Sequence, residues 1–336
     1  MATYKLTPDT GQVSGTNTDM PLVVIPSDIT NFPSLTSAEA ESIRFYSDAS
    51  LSTELPREVV SADEIHVKVS SVSSSTEIWA DYDGVRSDYG VTDTYGRNAV
   101  WSEYGGRYHM DDVSGGILDS TGNNGTATEV GNPTYGVAGE VGNAIDFDGG
   151  GDRFDIADAA NTDFDGEFTI SYLVNFDALG SSEAPFSKED GYAGSDTGFL
   201  FYKTSTNIVR CLLKDGTQTV VDTTATLSAG TTYKLTATRD ASNDVRVYID
   251  KTLSAGPTTV VKNLTNTSPV NIGERGNGSQ DLDGTLDELY WMKGTAISSD
   301  WLDTEHNNQN NNAAFWVATE VETVTASPIA HILQMI

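Results

Sequence analysis

Hydrophobic and polar residues alternate most cleanly between Phe168 and Phe176. Phe168, Ile170, Tyr172, Val174 and Phe176 fall on one side, and Thr169, Ser171, Leu173 and Asn175 on the other. Period-2 alternation with one large apolar face predicts a strand packed on a core. The pattern recurs in Tyr233, Leu235 and Ala237 and again in Val245, Val247 and Ile249; the turn ASND between them predicts a hairpin. GFLFYKTSTNIVRCLLKDG predicts a second hairpin, and LDGTLDELYWMKG a last strand. Upstream, Leu22 to Ile25 reads as a buried strand between Pro21 and Pro26, and short strands follow around Phe45, Val59, Val67 and Trp79. Helices are few. One spans SLTSAEAESI with Thr36 or Ser37 as N-cap, and one spans SSDWLDTEHNN with Ser298 or Ser299 as N-cap. The expected class is all-β with two β-sandwich domains: an N-terminal arm (1–20), a small sandwich (21–84), a connector (85–104), a larger sandwich (105–312) and a C-terminal strand or tail (313–336).

Two stretches resemble known families. PLVVIPSDI, SIRFYSDASLSTELPREVV and EIHVKVSSVSSSTEIWADYDG are similar to an uncharacterised surface-associated β domain of bacteria, archaea and their viruses. That resemblance brings no catalytic residues with it. RYHMDD, GILDSTGNNGT, AIDFDGGGDRFDIAD, EFTISYLVNF, TYKLTATRDASNDVRVYIDKTL and LDGTLDELYWMKGTAIS, in that order, resemble the concanavalin A-like, laminin G-like lectin–glucanase sandwich. The resemblance implies a jelly roll over about residues 105–312.

Composition narrows the partners. Lys+Arg is 19 and Asp+Glu is 49, a net charge of -30. Such a surface repels nucleic acid and anionic lipid, and suits cations or a neutral glycan. Cys211 is the single cysteine, so no internal disulfide forms. The N-terminus MATYKLTPDTGQVSG lacks a basic start and an apolar run, and is read as no secretion signal. No apolar run approaches the ~20 residues of a membrane span, so no membrane insertion is expected.

The candidate chemistry is acidic. DFDGGGDRFD, just before the alternating strand, gathers carboxylates around a glycine turn. Asp287 alternates in sequence with Leu289 and Trp291, which predicts a carboxylate facing the core. A buried carboxylate needs a cation or several donors, and calcium takes ~6–8 oxygen ligands. Asp111, Asp112 and the Gly149 carbonyl are the expected co-ligands of a structural Ca2+; the resembled family places calcium between the same three regions. The alternative is pairing of Asp287 with Arg153 or backbone amides.

Glycoside cleavage on this fold uses Glu-x-Asp-x-Glu on one strand, which the sequence lacks, and Asp287 and Glu288 are expected to point to opposite faces. His66, His109, His306 and His331 show no ligand spacing, and no Gly-x-Ser-x-Gly elbow or P-loop occurs. Tyr192, Tyr202, Tyr290 and Trp291 are conceivable sugar platforms, each weighed against a place in the core. The expected role is non-enzymatic: a virion surface protein, as capsid decoration, fibre or tail component, that attaches to host surface glycan or stabilises the particle. The competing readings are a secreted bacterial adhesin at the cell surface and a glycan-cleaving enzyme. The expected partners are host glycan, other virion proteins and further copies of the chain, the last from the apolar stretch Ile329–Ile336.

Overall fold

The computed structural model describes residues 2–193 and 196–321. The apolar C-terminal stretch and His331 lie outside these residues. Within them the chain is all-β, built from two sandwiches that share a packed joint.

The smaller sandwich pairs a five-stranded sheet with a three-stranded one. The five strands lie in the order Trp316–Val321, Ala2–Pro8, Ile78–Tyr82, Arg44–Tyr46, Glu54–Leu55. The three run Asn17–Val24, Glu64–Val72, Arg57–Ser61. Leu6, Leu22, Val24, Phe45, Ile65, Val67 and Ile78 fill the space between them. The first twenty residues are therefore not an arm. Tyr4 and Leu6 alternate with Thr3 and Lys5, and this alternation seats Ala2–Pro8 as an interior strand between two partners. The strand Trp316–Val321 returns from the far end of the chain and pairs with it from Thr3↔Val321 to Pro8↔Trp316. The first sandwich is thus closed by both ends of the described chain. The short helix Ser37–Ser42 begins at Thr36, whose hydroxyl accepts from the Glu39 amide while the Glu39 carboxylate accepts from the Thr36 amide.

The larger sandwich stacks a seven-stranded sheet on an eight-stranded one. In the latter, Phe168–Phe176 lies centrally between Asp283–Lys293 and Thr232–Arg239. Its inner face carries Phe168, Ile170, Tyr172, Val174 and Phe176, packed on Phe186, Phe199, Phe201 and Trp291. Gly105 and Gly106 have a steric reason to be glycine. A Cβ on Gly106 would sit 2.2 Å from the Trp291 ring, and one on Gly105 2.4 Å from its Nε1.

The outer face of that sheet is not solvated. Val100, Trp101, Tyr104, Tyr290, Met292 and Leu302 form an aromatic-rich layer against it. Leu173 meets Val23 and Ile25 of the first sandwich through Val141. The helix Ser299–Asn310, capped by Ser298, is wedged into this joint. Asn308 grips the Val23 backbone from both sides, accepting from its N–H at 2.7 Å and donating to its carbonyl at 2.9 Å. Gln309 accepts from Lys234 and donates to Glu288. A polar helix can be buried here because its most buried polar tips, on Thr304, Glu305, Asn308 and Gln309, find partners.

Candidate functional site: the cleft and charged cluster between the sandwiches

The joint opens to solvent as a cleft of about 270 Å³. Three segments converge on it: Arg57 and Glu58 from the first sandwich, Tyr89, Val91 and Arg97 from the connector, and His109, Asp112, Leu118 and Ser120 from the second sandwich. Arg57 is anchored by Asp88 at 2.7 Å and by the carbonyls of Ile43 and Glu41. Tyr89 is held between Arg44 and Arg57 and donates its hydroxyl to Glu54 at 2.7 Å. Val91 and Leu118 remain exposed. Asp112 accepts from the Leu118 amide through one oxygen, and burial raises its pKa. The Nε of Arg97 is buried without a partner among the described residues. The cleft thus offers apolar surface, one free carboxylate oxygen and an uncommitted guanidinium within a single opening.

Behind the cleft lies a buried cluster of Glu58, Glu64, His66, Arg107, His109 and Glu288. Four of its six residues come in pairs two apart. Glu64 and His66 project from one face of the strand Glu64–Val72. Arg107 and His109 project from one face of the strand Gly106–Tyr108 and its extension. His109 is the hub. Its Nε2 lies 2.9 Å from Glu58, and its Nδ1 lies 2.8 Å from Glu288 and 3.1 Å from Glu64. Arg107 is paired with Glu288, and His66 Nε2 sits 2.8 Å from Glu64. The two imidazole rings are 4.5 Å apart, and Trp101 edges onto both while donating its indole N–H to Glu58.

The charges set one another. Burial and Arg107 push His109 down, but Glu58 and Glu288 outweigh them and hold it well above the usual imidazole range. Burial and the neighbouring His109 push His66 well below that range, so it is neutral. Burial would raise Glu288, but Arg107 and then His109 hold it below the ordinary carboxylate range. Glu64 goes the other way, lifted well up by burial and further by Asp111. Among the described residues its Oε2 is buried without a hydrogen-bond donor, as are Asp111 Oδ2 and Asp287 Oδ1.

The four residues expected as calcium ligands do not meet at one point. Asp111 and Asp287 flank the turn at 139–143: Asp111 accepts from the Asn143 amide at 3.0 Å, and Asp287 accepts from the Glu140 and Val141 amides, each at 3.0 Å. Asp112 faces the cleft. Gly149 lies toward the other end of the strand pair, where a Cβ would meet Asp283, not Asp287. Asp287 is not on the core face either. The register slips between Ser171 and Leu173, and Glu288 takes φ +55° in the resulting bulge. Leu286, Leu289 and Trp291 therefore all point inward, while Asp287 pairs with Leu173 and faces outward. The bulge also aims both Asp287 and Glu288 at the joint; strict alternation would have opposed them. Arg153 pairs with Asp155 and Glu274 and leaves Asp287 to backbone amides.

Of the sugar-platform candidates, Tyr290 and Trp291 are fully buried and Tyr202 nearly so, leaving Tyr192 at 45% exposure. The His66–His109 contact was missed because the two residues lie in different sandwiches. The available signal was a charged residue two before each histidine, Glu64 and Arg107, with an apolar residue, Ile65 or Tyr108, between them.

Residues 148–302 match the family model of the concanavalin A-like lectin/glucanases superfamily. The larger sandwich is a concanavalin A-like domain. Among solved structures, the chain is similar to the binding domain of Paraclostridial Mosquitocidal Protein 1, at 16% identity and TM-score 0.50, over 61% of this chain and 52% of that one. It is also similar to a mutant of Trypanosoma rangeli sialidase displaying trans-sialidase activity, at 18% identity and TM-score 0.50, over 67% and 34%. A weaker likeness, at 19% identity and TM-score 0.42, covers 60% of this chain and 98% of domain 4 of AbnA, an extracellular arabinanase from Geobacillus stearothermophilus solved in complex with arabinotriose. The matched region thus spans about half of the mosquitocidal binding domain and about a third of the sialidase. No curated protein matches the sequence.

Proposed function

We propose that this chain is a non-enzymatic, lectin-like surface protein whose interdomain cleft takes one residue of a neutral glycan. The observation that carries this reading is the cleft itself. A sugar ring presents C–H groups on its faces and hydroxyls around its edge. Val91 and Leu118 suit the former, and Asp112 with Arg97 suit the latter. The lectin–glucanase family match supports a carbohydrate ligand. The fold is shared with a toxin's binding domain. The sequence lacks the strand-borne carboxylate triplet of the glucanases, which supports binding without cleavage.

The setting we propose is the surface of a virus particle, for attachment to a host glycan or stabilisation of the particle. The acidic surface is compatible with it, and immunolabelling of purified particles tests it. The binding reading is tested by retention on a panel of neutral and envelope polysaccharides. Asp112→Ala and Arg97→Ala, both at the cleft wall, are expected to lower retention at least tenfold with an unchanged thermal midpoint. Absence of binding across the panel, or retention indifferent to both substitutions, overturns the cleft as a sugar site. Release of reducing sugar from any retained glycan overturns the non-enzymatic reading.

A further inference from the structure

We infer that Glu64, His66, His109 and Glu288 form a binding site for a single divalent transition-metal ion of the zinc class, which clamps the two sandwiches together. The inference does not rest on the glycan reading.

The first support is geometry. One ligand atom from each of the four residues lies within 4.8 Å of the other three. The adjacent separations are 2.8 Å for His66 Nε2 to Glu64, 3.1 Å for Glu64 to His109 Nδ1, and 2.8 Å for His109 Nδ1 to Glu288. Tetrahedral zinc, with bonds of ~2.0–2.2 Å to nitrogen and oxygen, sets its ligand atoms about 3.3–3.6 Å apart, so these side chains need part by only about half an ångström to admit it. Two imidazoles with two carboxylates select zinc, cobalt or nickel over calcium or magnesium, which take all-oxygen shells.

The second support is the surrounding shell. A metal-bound histidine normally donates its other ring N–H to a carboxylate, which fixes its tautomer. Glu58 stands 2.9 Å from His109 Nε2, and is itself fixed by Ser120 at 2.7 Å and by the Trp101 indole. Glu288 would bind through one oxygen, because Arg107 and Gln309 occupy the other. Gly142 leaves the room: a Cβ there would lie 2.2 Å from Glu64 Oε2 and 2.7 Å from Asp111 Oδ2.

The third support is charge. Glu58, Glu64 and Glu288 bring three buried negative charges against the single guanidinium of Arg107. Two protons or one dication must make up the difference, because an uncompensated buried charge costs several kcal/mol. The fully buried Glu64 Oε2 accepts no hydrogen bond among the described residues and faces the Asp111 carboxylate, so without a cation this pair must hold a proton. A dication held through Glu64 Oε1 and two neutral imidazoles completes the balance in place of those protons. Because Glu64 and His66 belong to the first sandwich and His109 and Glu288 to the second, the ion would tie one to the other.

The test uses the full chain stripped with a chelator. Titration with Co2+ is expected to give one equivalent per chain and the visible absorption of tetrahedral cobalt, which Zn2+ then displaces. Zn2+ at about a hundredfold excess over Kd is expected to raise the thermal midpoint by roughly 4 °C. Glu64→Gln keeps the side-chain shape and His66→Gln keeps a polar group; each is expected to weaken cobalt binding at least tenfold. The proposal is overturned by a wild-type chain that gives neither the cobalt band nor a zinc-dependent midpoint. It is equally overturned if both variants bind cobalt as the wild type does, or if Ca2+ shifts the midpoint and Zn2+ does not. Should both variants fail to fold, the wild-type cobalt spectrum decides alone. Glycan retention of the stripped and zinc-loaded chain, measured in parallel, keeps failure of the metal site distinct from failure of the sugar site.

Discussion

The inner face of the eight-stranded sheet presents Phe168, Ile170, Tyr172, Val174 and Phe176 to an aromatic and aliphatic core. Its outer face presents Thr169, Ser171 and Leu173, which are no less shielded from water. The shielding there comes from a polar helix, an aromatic layer and the first sandwich, with Lys234, Glu288 and Arg107 locked into hydrogen-bonded pairs. The inner face is held by removal of apolar surface from water, which tolerates any well-packed hydrophobe. The outer face depends on each polar tip meeting its partner, so it tolerates little one-sided change. Burial is common to both; the means of satisfying it differ, and the charged cluster sits where polar groups are buried.

The largest effect is expected on the inner face. Trp291 is fully buried, is seated against Gly105 and Gly106, and donates its indole N–H to the Asn161 carbonyl at 2.9 Å. Trp291→Ala should destabilise the chain by about 3–5 kcal/mol through lost burial and the cavity left behind. Urea unfolding followed by circular dichroism measures it. A loss under about 1 kcal/mol would mean that the two glycines close over the gap, and that this face is less rigid than its packing indicates.

The same comparison explains what was legible in the sequence. Alternation in Phe168–Phe176 and in the hairpin Thr232–Arg239 with Asp244–Ile249 marks the inner face directly, because a core strand must put apolar groups every second residue. The lectin-type sandwich follows from the order of those strands. The outer face was not legible, because polar residues opposite an apolar face read equally as solvated surface or as an interface with another domain. The docking of Ala2–Pro8 with Trp316–Val321 joins residues over three hundred positions apart, which no local pattern reports. The bulge at Glu288 was hidden for a related reason. Glu288 takes a positive φ without being glycine, so the two-residue rhythm breaks with no break in composition to announce it. Asp287 and the His66–His109 contact were misplaced through these two gaps: an unseen slip of register and an unseen domain contact.

A second substitution probes the outer face through its charges. Arg107 is fully buried against Glu288, with its guanidinium over the Trp101 ring at 4.6 Å. In metal-stripped protein, Arg107→Met should cost about 3 kcal/mol, the lower end for breaking a buried pair, because Gln309 and His109 still serve Glu288. Adding Glu288→Leu should recover most of that loss, because no uncompensated charge then remains. If the double variant is less stable than the single one, Glu288 contributes through His109 and Gln309 more than through Arg107, and the face is a network with no dominant pair.

The smallest effect tests the outer face without charge. Ser171 and Thr236 lie side by side on neighbouring strands, with their hydroxyls 2.8 Å apart and both residues fully buried. Ser171→Ala leaves the Thr236 hydroxyl with no such neighbour, and should cost about 1–2 kcal/mol. Thr236→Val removes that hydroxyl as well while keeping its branched shape, so the double variant should lie within about 0.5 kcal/mol of wild type. Urea midpoints of the four proteins complete the cycle. Recovery in the double variant would show that this part of the face needs matched partners and no particular polarity. Additive losses would show that each hydroxyl is engaged elsewhere, with the Tyr290 hydroxyl an alternative partner for Ser171. In that case the polar network would extend from the sheet through Tyr290 to Glu305 of the wedged helix, which accepts from the Tyr290 hydroxyl at 2.9 Å. Loosening the helix would then reach Gln309 and, through it, Glu288.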